Sequence, residues 1–554
     1  MSDRKALSPR TRTILEDPAR NRGVAFSARE REELGLTGRL PSGVLTLSEQ
    51  AERTAAQLRS LPNDLARSLY LEQLNDRNET LFFKVLSDHL DELLPIVCDP
   101  TAGETIEQYP HEHRRPRGIY LSIDRPDDIE KSFVSLGLGA DDVDVIACSD
   151  AGDLPGVGDC GVAGVRIAAG KLAVYTAGAG IRPDRVIPVS LDVGTDNQAL
   201  LDDPLYVGNR HARRRGKDYE AFIERYVQTA SAMFPGALLH FQDFGARQAR
   251  RILQSYGGDY RVFVDNMQGT GAVVLAALYA ATRLTGIPVK HQTLVVFGAG
   301  AAGVAVADQV HDAIVADGAT DEQAGNQIWL VGKGGLLFDD MDDLRNFQAP
   351  YAKKRSDAAW AAGSGPVGLV RTIERTAPTI LLGAAGIHGA FTPQVIRAMG
   401  KATRRPAILS ISNPASRIEA TPSDVITWSD GRALVATGVP AASVEYQGTM
   451  FAIGQANSAL IFPGIGLGII VSRAARVTPH MLQAAAAAVA EQVDTSRPGA
   501  PLLPGVQNLR ASSALVAEAV IRAAVTDKVA TFNPTSPTRA VHDAMWIPDY
   551  PGIS

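Results

Sequence analysis

A glycine-rich segment in the second half of the chain carries the clearest chemical signal of the sequence. Gly298, Gly300 and Gly303 directly follow the apolar run Thr293–Phe297 and open a helical pattern. In this strand–turn–helix context the first glycine permits a tight turn, the second a close backbone approach to a pyrophosphate, and the third close packing of helix on strand. The start of the helix attracts anions. We therefore predict that this loop, including Ala301, binds a dinucleotide and is more than a tight turn.

The next predicted strand, Ile328–Val331, bears on the choice between NAD and NADP. Folds that prefer NAD place an Asp or Glu at the end of this strand, where it binds the ribose 2′-hydroxyl. Here the strand runs into Gly-Lys-Gly-Gly, with Lys333 as the charged residue. Without the carboxylate a 2′-phosphate is not repelled, and Lys333 could pair with it. The sequence thus favours NADP over NAD, with a solvated turn lysine as the alternative.

Strand and helix patterns alternate on both sides of a long helical segment at 269–285, which predicts an α/β protein with two largely parallel sheets. The strands predicted for the first unit are 118–123, 143–148, 186–191, 237–241 and 260–264. Those predicted for the second unit are 293–297, 328–331, 379–382, 407–411 and 433–437. The apolar spacing between Leu47 and Leu94 is helical, and Ser48 is the predicted N-cap of this region.

These patterns divide the chain into four regions. We predict a helical N-terminal domain at 1–115, an α/β substrate domain with a parallel sheet at 116–264 plus 457–530, and a Rossmann-type dinucleotide-binding domain at 265–456. The proline-rich tail at 531–554 is expected to wrap a neighbour.

Composition narrows the function classes. The formal net charge of −6 gives no electrostatic case for nucleic acid. The basic run His211–Lys217 is interpreted as a solvated helix surface, with a polyanion site as the alternative. We expect no signal peptide and no membrane span, and the 3 cysteines fit a reducing cytoplasm.

Several short motifs follow one another along the chain. They are PIVCDPTAG at 95–103, GKLAVYTA at 170–177, GIRPDR at 180–185, DVGTDN at 192–197, HFQDFG at 240–245, FVDNMQGTG at 263–271, SNP at 412–414 and FPG at 462–464. In this order they resemble malic enzymes, which oxidise malate with a nicotinamide cofactor and decarboxylate the product. The resemblance spans about Asn21 to Met545.

The resemblance implies roles for individual residues. Lys171 matches the family's general base and Asp265 its partner, although a simple buried ion pair is the alternative. The family's Mg²⁺ or Mn²⁺ is held by three carboxylates, at positions occupied here by Gln242, Asp243 and Asn266. Only Asp243 is charged, and hard cations prefer anionic oxygen ligands. The sequence therefore predicts a weakened or absent metal site.

Other matched positions have also changed. Cys98 stands where the family has a tyrosine as general acid, and it is either a reactive thiol or a space-filling replacement. Asp153 stands where an arginine binds a substrate carboxylate, and Ser458 replaces an asparagine of the substrate region. Asn413 and Asn457 keep the asparagines of the substrate and nicotinamide region.

Together these features predict an NAD(P)-dependent oxidoreductase acting on malate or a related 2-hydroxy acid, with a remodelled pocket. The alternative is a dinucleotide-binding protein without turnover that regulates an active paralogue. By the resemblance, the assembly is a homodimer or homotetramer.

Overall fold

The computed structural model describes residues 14–98, 118–154, 157–361 and 365–550. The first part is helical, as predicted, and its helices are α1 Ala28–Glu33, α2 Leu47–Arg59, α3 Asp64–Arg77, α4 Glu79–Asp88 and α5 Leu90–Val97. The predicted N-cap at Ser48 is wrong. Thr46 caps α2 instead, because its hydroxyl accepts the Glu49 N–H while the Glu49 side chain accepts the Thr46 N–H.

The first α/β unit is built on a parallel sheet in the order β1-β3-β2-β4-β5. Its strands are β1 Ile119–Ser122, β2 Val145–Ser149, β3 Val186–Asp192, β4 Leu238–Phe241 and β5 Val262–Val264. Its helices are α6 Ile129–Val134, α7 Gly164–Ala179, α8 Gln198–Asp202, α9 Lys217–Met233 and α10 Ala246–Tyr256. β2, β4 and β5 are buried on both faces, as expected for strands between helical layers.

Helix α11, Thr270–Thr285, leads into the second unit, whose main sheet has the order β14-β11-β10-β9-β6-β7-β8. Its strands are β6 Leu294–Phe297, β7 Ile328–Gly332, β8 Gly335–Leu336, β9 Ile380–Gly383, β10 Ala407–Ser410, β11 Leu434–Thr437 and β14 Gly454–Gln455. The antiparallel pair β12 Val444–Tyr446 and β13 Thr449–Phe451 lies beside it. Its helices are α12 Ala301–Ala316, α13 Asp321–Asn326, α14 Leu369–Thr376, α15 Pro393–Ala402 and α16 Pro422–Trp428. Strand order changes direction at β6, where doubly wound folds bind nucleotides.

The remaining helices are α17 Phe462–Ser472, α18 Pro479–Glu491, α19 Leu509–Thr526 and α20 Pro537–Ala544. Helix α17 packs against α7 of the first unit and against α19, and α18 packs against α11 and α19. The tail lies on its own chain: Trp546 N–H donates to Gly180 O, and its ring meets Phe83 edge-on.

Candidate active site

A buried ion pair lies between the first sheet and α17. Lys171 of α7 and Asp265 after β5 approach to 3.0 Å between Nζ and Oδ2. Ser458 donates a hydrogen bond of 2.9 Å to the same oxygen, and the Lys171 ammonium lies 5.0 Å from the centre of the Phe462 ring. Burial alone would raise the pKa of Asp265, but the charge of Lys171 and these hydrogen bonds hold that pKa below its usual range.

The position of Asp265 is set by a π-helical turn, Asp265–Gly269, that leads into α11. Such turns are frequent at functional sites. Gly269 is required here because a Cβ atom would lie 1.9 Å from Asp265 Oδ1. From the other side, Gln309 of α12 donates hydrogen bonds of 3.3 and 3.0 Å to the carbonyl oxygens of Met267 and Gln268. The helix that begins at the glycine-rich loop therefore also holds the turn that carries Asp265.

A second buried chain of hydrogen bonds ends at Asp243. Tyr175 Oη is 2.9 Å from His240 Nδ1, His240 Nε2 is 3.4 Å from Gln242 Oε1, and Gln242 Nε2 donates to Asp243 Oδ1 at 2.6 Å. Burial lowers the pKa of His240 to about 4 and raises the pKa of Tyr175. Both groups are therefore uncharged near neutral pH.

The glycine-rich loop has the shape of a phosphate-binding turn. Gly298 has a φ of +118°, and a Cβ there would lie 2.4 Å from Ala384 C. A Cβ on Gly303 would lie 2.1 Å from Gly298 O. Gly300, by contrast, has no atom within 4 Å of its Cβ position, so the loop is open where α12 begins at Ala301. These features fit the close approach of a pyrophosphate.

The other predicted cofactor residues lie at the carboxyl edge of the same sheet. Lys333 is exposed in the turn between β7 and β8, and Asn413 is exposed after β10. Asn457 follows β14, and its side-chain oxygen accepts the Ala459 N–H at 2.9 Å.

Two residues that the sequence did not indicate support this edge. Gln348 donates to the carbonyl oxygen of Ala299 inside the glycine-rich loop at 2.6 Å. The buried Glu419 accepts the N–H of Ala385 at 3.0 Å and the hydroxyl of Ser412 at 2.5 Å. The only sequence signal for the role of Glu419 was its position as an acid seven residues after Ser412 of the SNP motif.

Two family models cover most of the chain. One, described as the malic enzyme N-terminal domain, matches residues 75–257, and the other, described as the malic enzyme NAD-binding domain, matches residues 267–525. The chain belongs to the malic enzyme family. This confirms the resemblance found in the sequence motifs and the predicted α/β architecture.

Individual malic enzyme relatives match over nearly their full length. A Mycobacterium tuberculosis (strain ATCC 25618 / H37Rv) protein provisionally named as an NAD malate oxidoreductase is 57% identical, covering 99% of this chain and 100% of its own. NAD-dependent malic enzyme 3 of Bacillus subtilis is 47% identical (98% and 96% covered), and the malolactic enzyme of Lactiplantibacillus plantarum is 42% identical (98% of each covered). The crystal structure of Entamoeba histolytica malic enzyme shares the fold, with a TM-score of 0.55 and 19% identity over 93% of this chain and 90% of that one.

Malic enzymes imply a divalent cation, and the donor set of this chain does not fit one. Asp243, with φ +54°, is the charged member of the three matched positions. The Gln242 amide donates to it, and Asn266 Nδ2 donates to Phe244 O at 3.1 Å. Within the described ranges, no group of three His, Cys, Asp or Glu residues could hold a metal. One negative charge and two amides are a poor ligand set for Mg²⁺ or Mn²⁺.

The remaining predicted residues border the same region. Cys98 ends α5 beside the Lys171 helix: a Cβ on Gly170 would lie 3.6 Å from Cys98 Cα. The Asp153 N–H donates to Asp243 O at 3.3 Å, which places the Asp153 turn against the Asp243 loop, with the Asp153 side chain exposed. Ser458 contacts Asp265 directly. The structure thus brings these three residues, the ion pair and the Gln242–Asp243–Asn266 set to one region.

The run His211–Lys217 is mostly exposed, as predicted, but the prediction of a helix surface is wrong. Residues 211–216 precede α9 and are not helical. The Arg213 side chain is only 8% exposed, lies 3.4 Å from Asp150 Oδ1 and 3.5 Å from Asp159 Oδ1, and donates to the carbonyl oxygen of Asp150. A buried guanidinium needs such partners. Arg213 of this run therefore holds the turn that precedes Asp153 in place.

Proposed function

We propose that the protein is an NAD-dependent oxidoreductase of the malic enzyme type that acts on malate or a related 2-hydroxy acid. The buried Lys171–Asp265 pair carries this proposal, because it places an amine and a carboxylate beside the covering helix α17. The glycine-rich loop and the names of the relatives support it.

Each group has a chemical task in this proposal. A bound nicotinamide dinucleotide supplies the acceptor for the hydride that leaves C2 of the substrate. Lys171, in its neutral form, takes the proton of the C2 hydroxyl, and Asp265 orients the amine. Gly298, Gly300, Ala301 and Gly303 hold the pyrophosphate. Asn413 and Asn457 are the proposed contacts of the nicotinamide or the substrate.

NAD is the proposed cofactor in preference to NADP. Lys333 favoured NADP in the sequence, but relatives that are 57%, 47% and 40% identical are named for NAD. An exposed turn lysine is also compatible with simple solvation.

The decisive assay is nicotinamide reduction by purified protein given L-malate, with NAD and NADP in separate reactions, each with and without Mn²⁺. Oxaloacetate, pyruvate and lactate are measured at the end, because the relatives include a protein named malolactic enzyme. We expect turnover with NAD that is lost in Lys171→Met. If folded protein binds NADH but reduces neither cofactor with any of a panel of 2-hydroxy acids, the alternative of a protein without turnover replaces this proposal.

We further propose a cytoplasmic homodimer or homotetramer. The sequence has only 3 cysteines in 554 residues, which suits a reducing compartment, and within the described ranges no helix is long and apolar enough to cross a membrane. Light scattering coupled to size exclusion measures the assembly, and a monomeric mass would contradict the oligomer.

A further inference from the structure

The amide of Gln242 stands where malic enzymes have a carboxylate. If position 242 were a carboxylate, a cation would be needed between its oxygen and that of Asp243. The Gln242 Nε2 lies 2.6 Å from Asp243 Oδ1. Two carboxylate oxygens at such a distance would repel each other unless a proton or a metal ion joined them. A donated N–H removes that repulsion without any ion.

The orientation of this amide is set by Asp243. A carboxylate has acceptors only, so the Gln242 atom that lies 2.6 Å from Asp243 Oδ1 is the NH₂ nitrogen. The amide oxygen then faces His240 Nε2 at 3.4 Å, and His240 Nδ1 lies 2.9 Å from the Tyr175 hydroxyl. If the amide were turned over, its oxygen would face Asp243 Oδ1, acceptor against acceptor. The contact with Asp243 therefore directs the Gln242 NH₂ group to that carboxylate.

The rest of the region contains buried acceptor oxygens. Asp265 Oδ1 and Asn266 Oδ1 are buried, and neither has a hydrogen-bond partner within the described ranges. Asp153 adds a further carboxylate on the turn that packs against the Asp243 loop. Buried acceptors without partners cost roughly 1–3 kcal/mol each, so a ligand that brings N–H or O–H donors is favoured over one that brings a second carboxylate.

We propose that this site binds its hydroxy acid without a divalent cation, with the Gln242 amide filling the cation's place at Asp243, and selects a substrate whose second polar group is a hydrogen-bond donor. The inference rests on the proposed function only for the hydroxy acid itself. The side chains alone determine whether the site binds a cation, and this does not depend on turnover.

The first test measures Mn²⁺ binding by electron paramagnetic resonance in the wild type and in the double variant Gln242→Glu/Asn266→Asp. The matched control is Gln248→Glu, which adds one charge at a half-buried position on α10. We expect the double variant to bind Mn²⁺ at least tenfold more tightly than the wild type or the control. Equal, tight binding by wild type and double variant would overturn the inference.

The same preparations separate this inference from the proposed function. If the wild type turns over and EDTA leaves its rate unchanged, both stand. If turnover requires Mn²⁺, the function stands and the inference fails. If no hydroxy acid is oxidised but the Mn²⁺ difference appears, the proposed function fails and the cation-free site stands.

The substrate class is tested by equilibrium binding to the NADH complex, so that turnover is not needed. L-malate is compared with its 4-amide and with 4-amino-2-hydroxybutanoate in isothermal titration. We expect the amide or the amine to bind at least tenfold more tightly than malate, and Asp153→Arg to reverse the order. Tighter binding of malate by the wild type would overturn this part of the inference.

Discussion

The glycine-rich loop and the pocket around Lys171 belong to the same chain but depend on different kinds of constraint. In the loop, function depends on the backbone: a Cβ on Gly303 would lie 2.1 Å from a carbonyl oxygen. Around Lys171, function depends on which atoms the side chains present. Changing a carboxylate to an amide alters the charge and leaves the shape nearly the same.

This difference decides which residues can be exchanged at each site. The loop needs Gly298 and Gly303 to keep its shape, whereas Gln242 and Asn266 pack where acids would pack. In each of these two side chains, the replacement of one carboxylate oxygen by an amide nitrogen decides whether a cation or a hydrogen bond joins the side chain to its neighbours. Membership of the malic enzyme family is therefore better evidence for the role of the loop in this chain than for the role of Gln242, Asp243 and Asn266.

The largest expected effect follows from removing the amine. Lys171→Met should lower kcat/KM for the best 2-hydroxy acid by about 10³-fold, in line with the loss of a general base. NADH affinity, measured by titration calorimetry, should change less than twofold because the loop is untouched. The variant also leaves Asp265 buried without its cation, so its thermal unfolding is measured in parallel.

A loss of cofactor affinity equal to the loss of turnover would contradict the separation of the two sites. Lys171→Arg serves as the charge-keeping control. It retains the ion pair with Asp265 but has a guanidinium that cannot act as a base near neutral pH. We expect it to be as inactive as Lys171→Met yet more stable.

The second prediction concerns the loop. Gly303→Ala should weaken NADH binding by about 100-fold, because its Cβ would meet Gly298 O and separate α12 from the strand. Gly334→Ala is the control, since no atom lies within 4 Å of its Cβ position and its φ is not positive. Equal effects of the two substitutions would show that loop geometry does not control binding.

Most of the fold could be predicted because strand and helix periodicity depend on burial. The ten predicted strands lie within a residue or two of their predicted positions, for example 186–191 against Val186–Asp192, whereas the short strands β8, β12, β13 and β14 were not predicted. The cap at Thr46 was missed because Ser, Thr and a following Glu fit more than one register. The division into domains at 115, 264, 456 and 530 stays a prediction.

The site could be predicted only where a motif or the family resemblance marked it. The Lys171–Asp265 contact joins residues far apart in sequence, and the resemblance supplied it. Arg213 was misread because a run of basic residues usually lies in solvent, whereas its partners Asp150 and Asp159 lie on other segments. Gln309 and Gln348 were missed because single glutamines that hold backbone carbonyls have no sequence signature.

A third prediction concerns a second buried lysine, Lys353, which has no carboxylate within hydrogen-bond reach among the described residues. Lys353 donates to Gly325 O at 2.6 Å and lies 4.6 Å from the Trp329 ring. Burial lowers its pKa to about 8. Between that pH and the unfolded pKa of about 10.4, the unfolded state binds more protons, so stability from this group rises with pH.

Wild type and Lys353→Met are therefore compared by urea unfolding at pH 7.5 and at pH 10. Relative to the variant, the wild type should gain about 2 kcal/mol at the higher pH, somewhat less than full burial would give. If the wild type instead lost stability relative to the variant at pH 10, the folded protein would stabilise the charged form of Lys353.

The smallest expected effect is that of Ser458→Ala. Its hydroxyl gives Asp265 one of the two side-chain hydrogen bonds seen on Oδ2, and losing a hydrogen bond to a charged group costs about 1.5 kcal/mol. If Asp265 acts by orienting Lys171, this loss should appear as a kcat about tenfold lower with little change in NADH affinity.

Ser458→Asn places the family's residue there and tests whether the smaller side chain belongs to the cation-free pocket. Should the asparagine raise the rate with malate in the Gln242→Glu/Asn266→Asp background but lower it in the wild type, the changes at 242, 266 and 458 act together as one remodelled site.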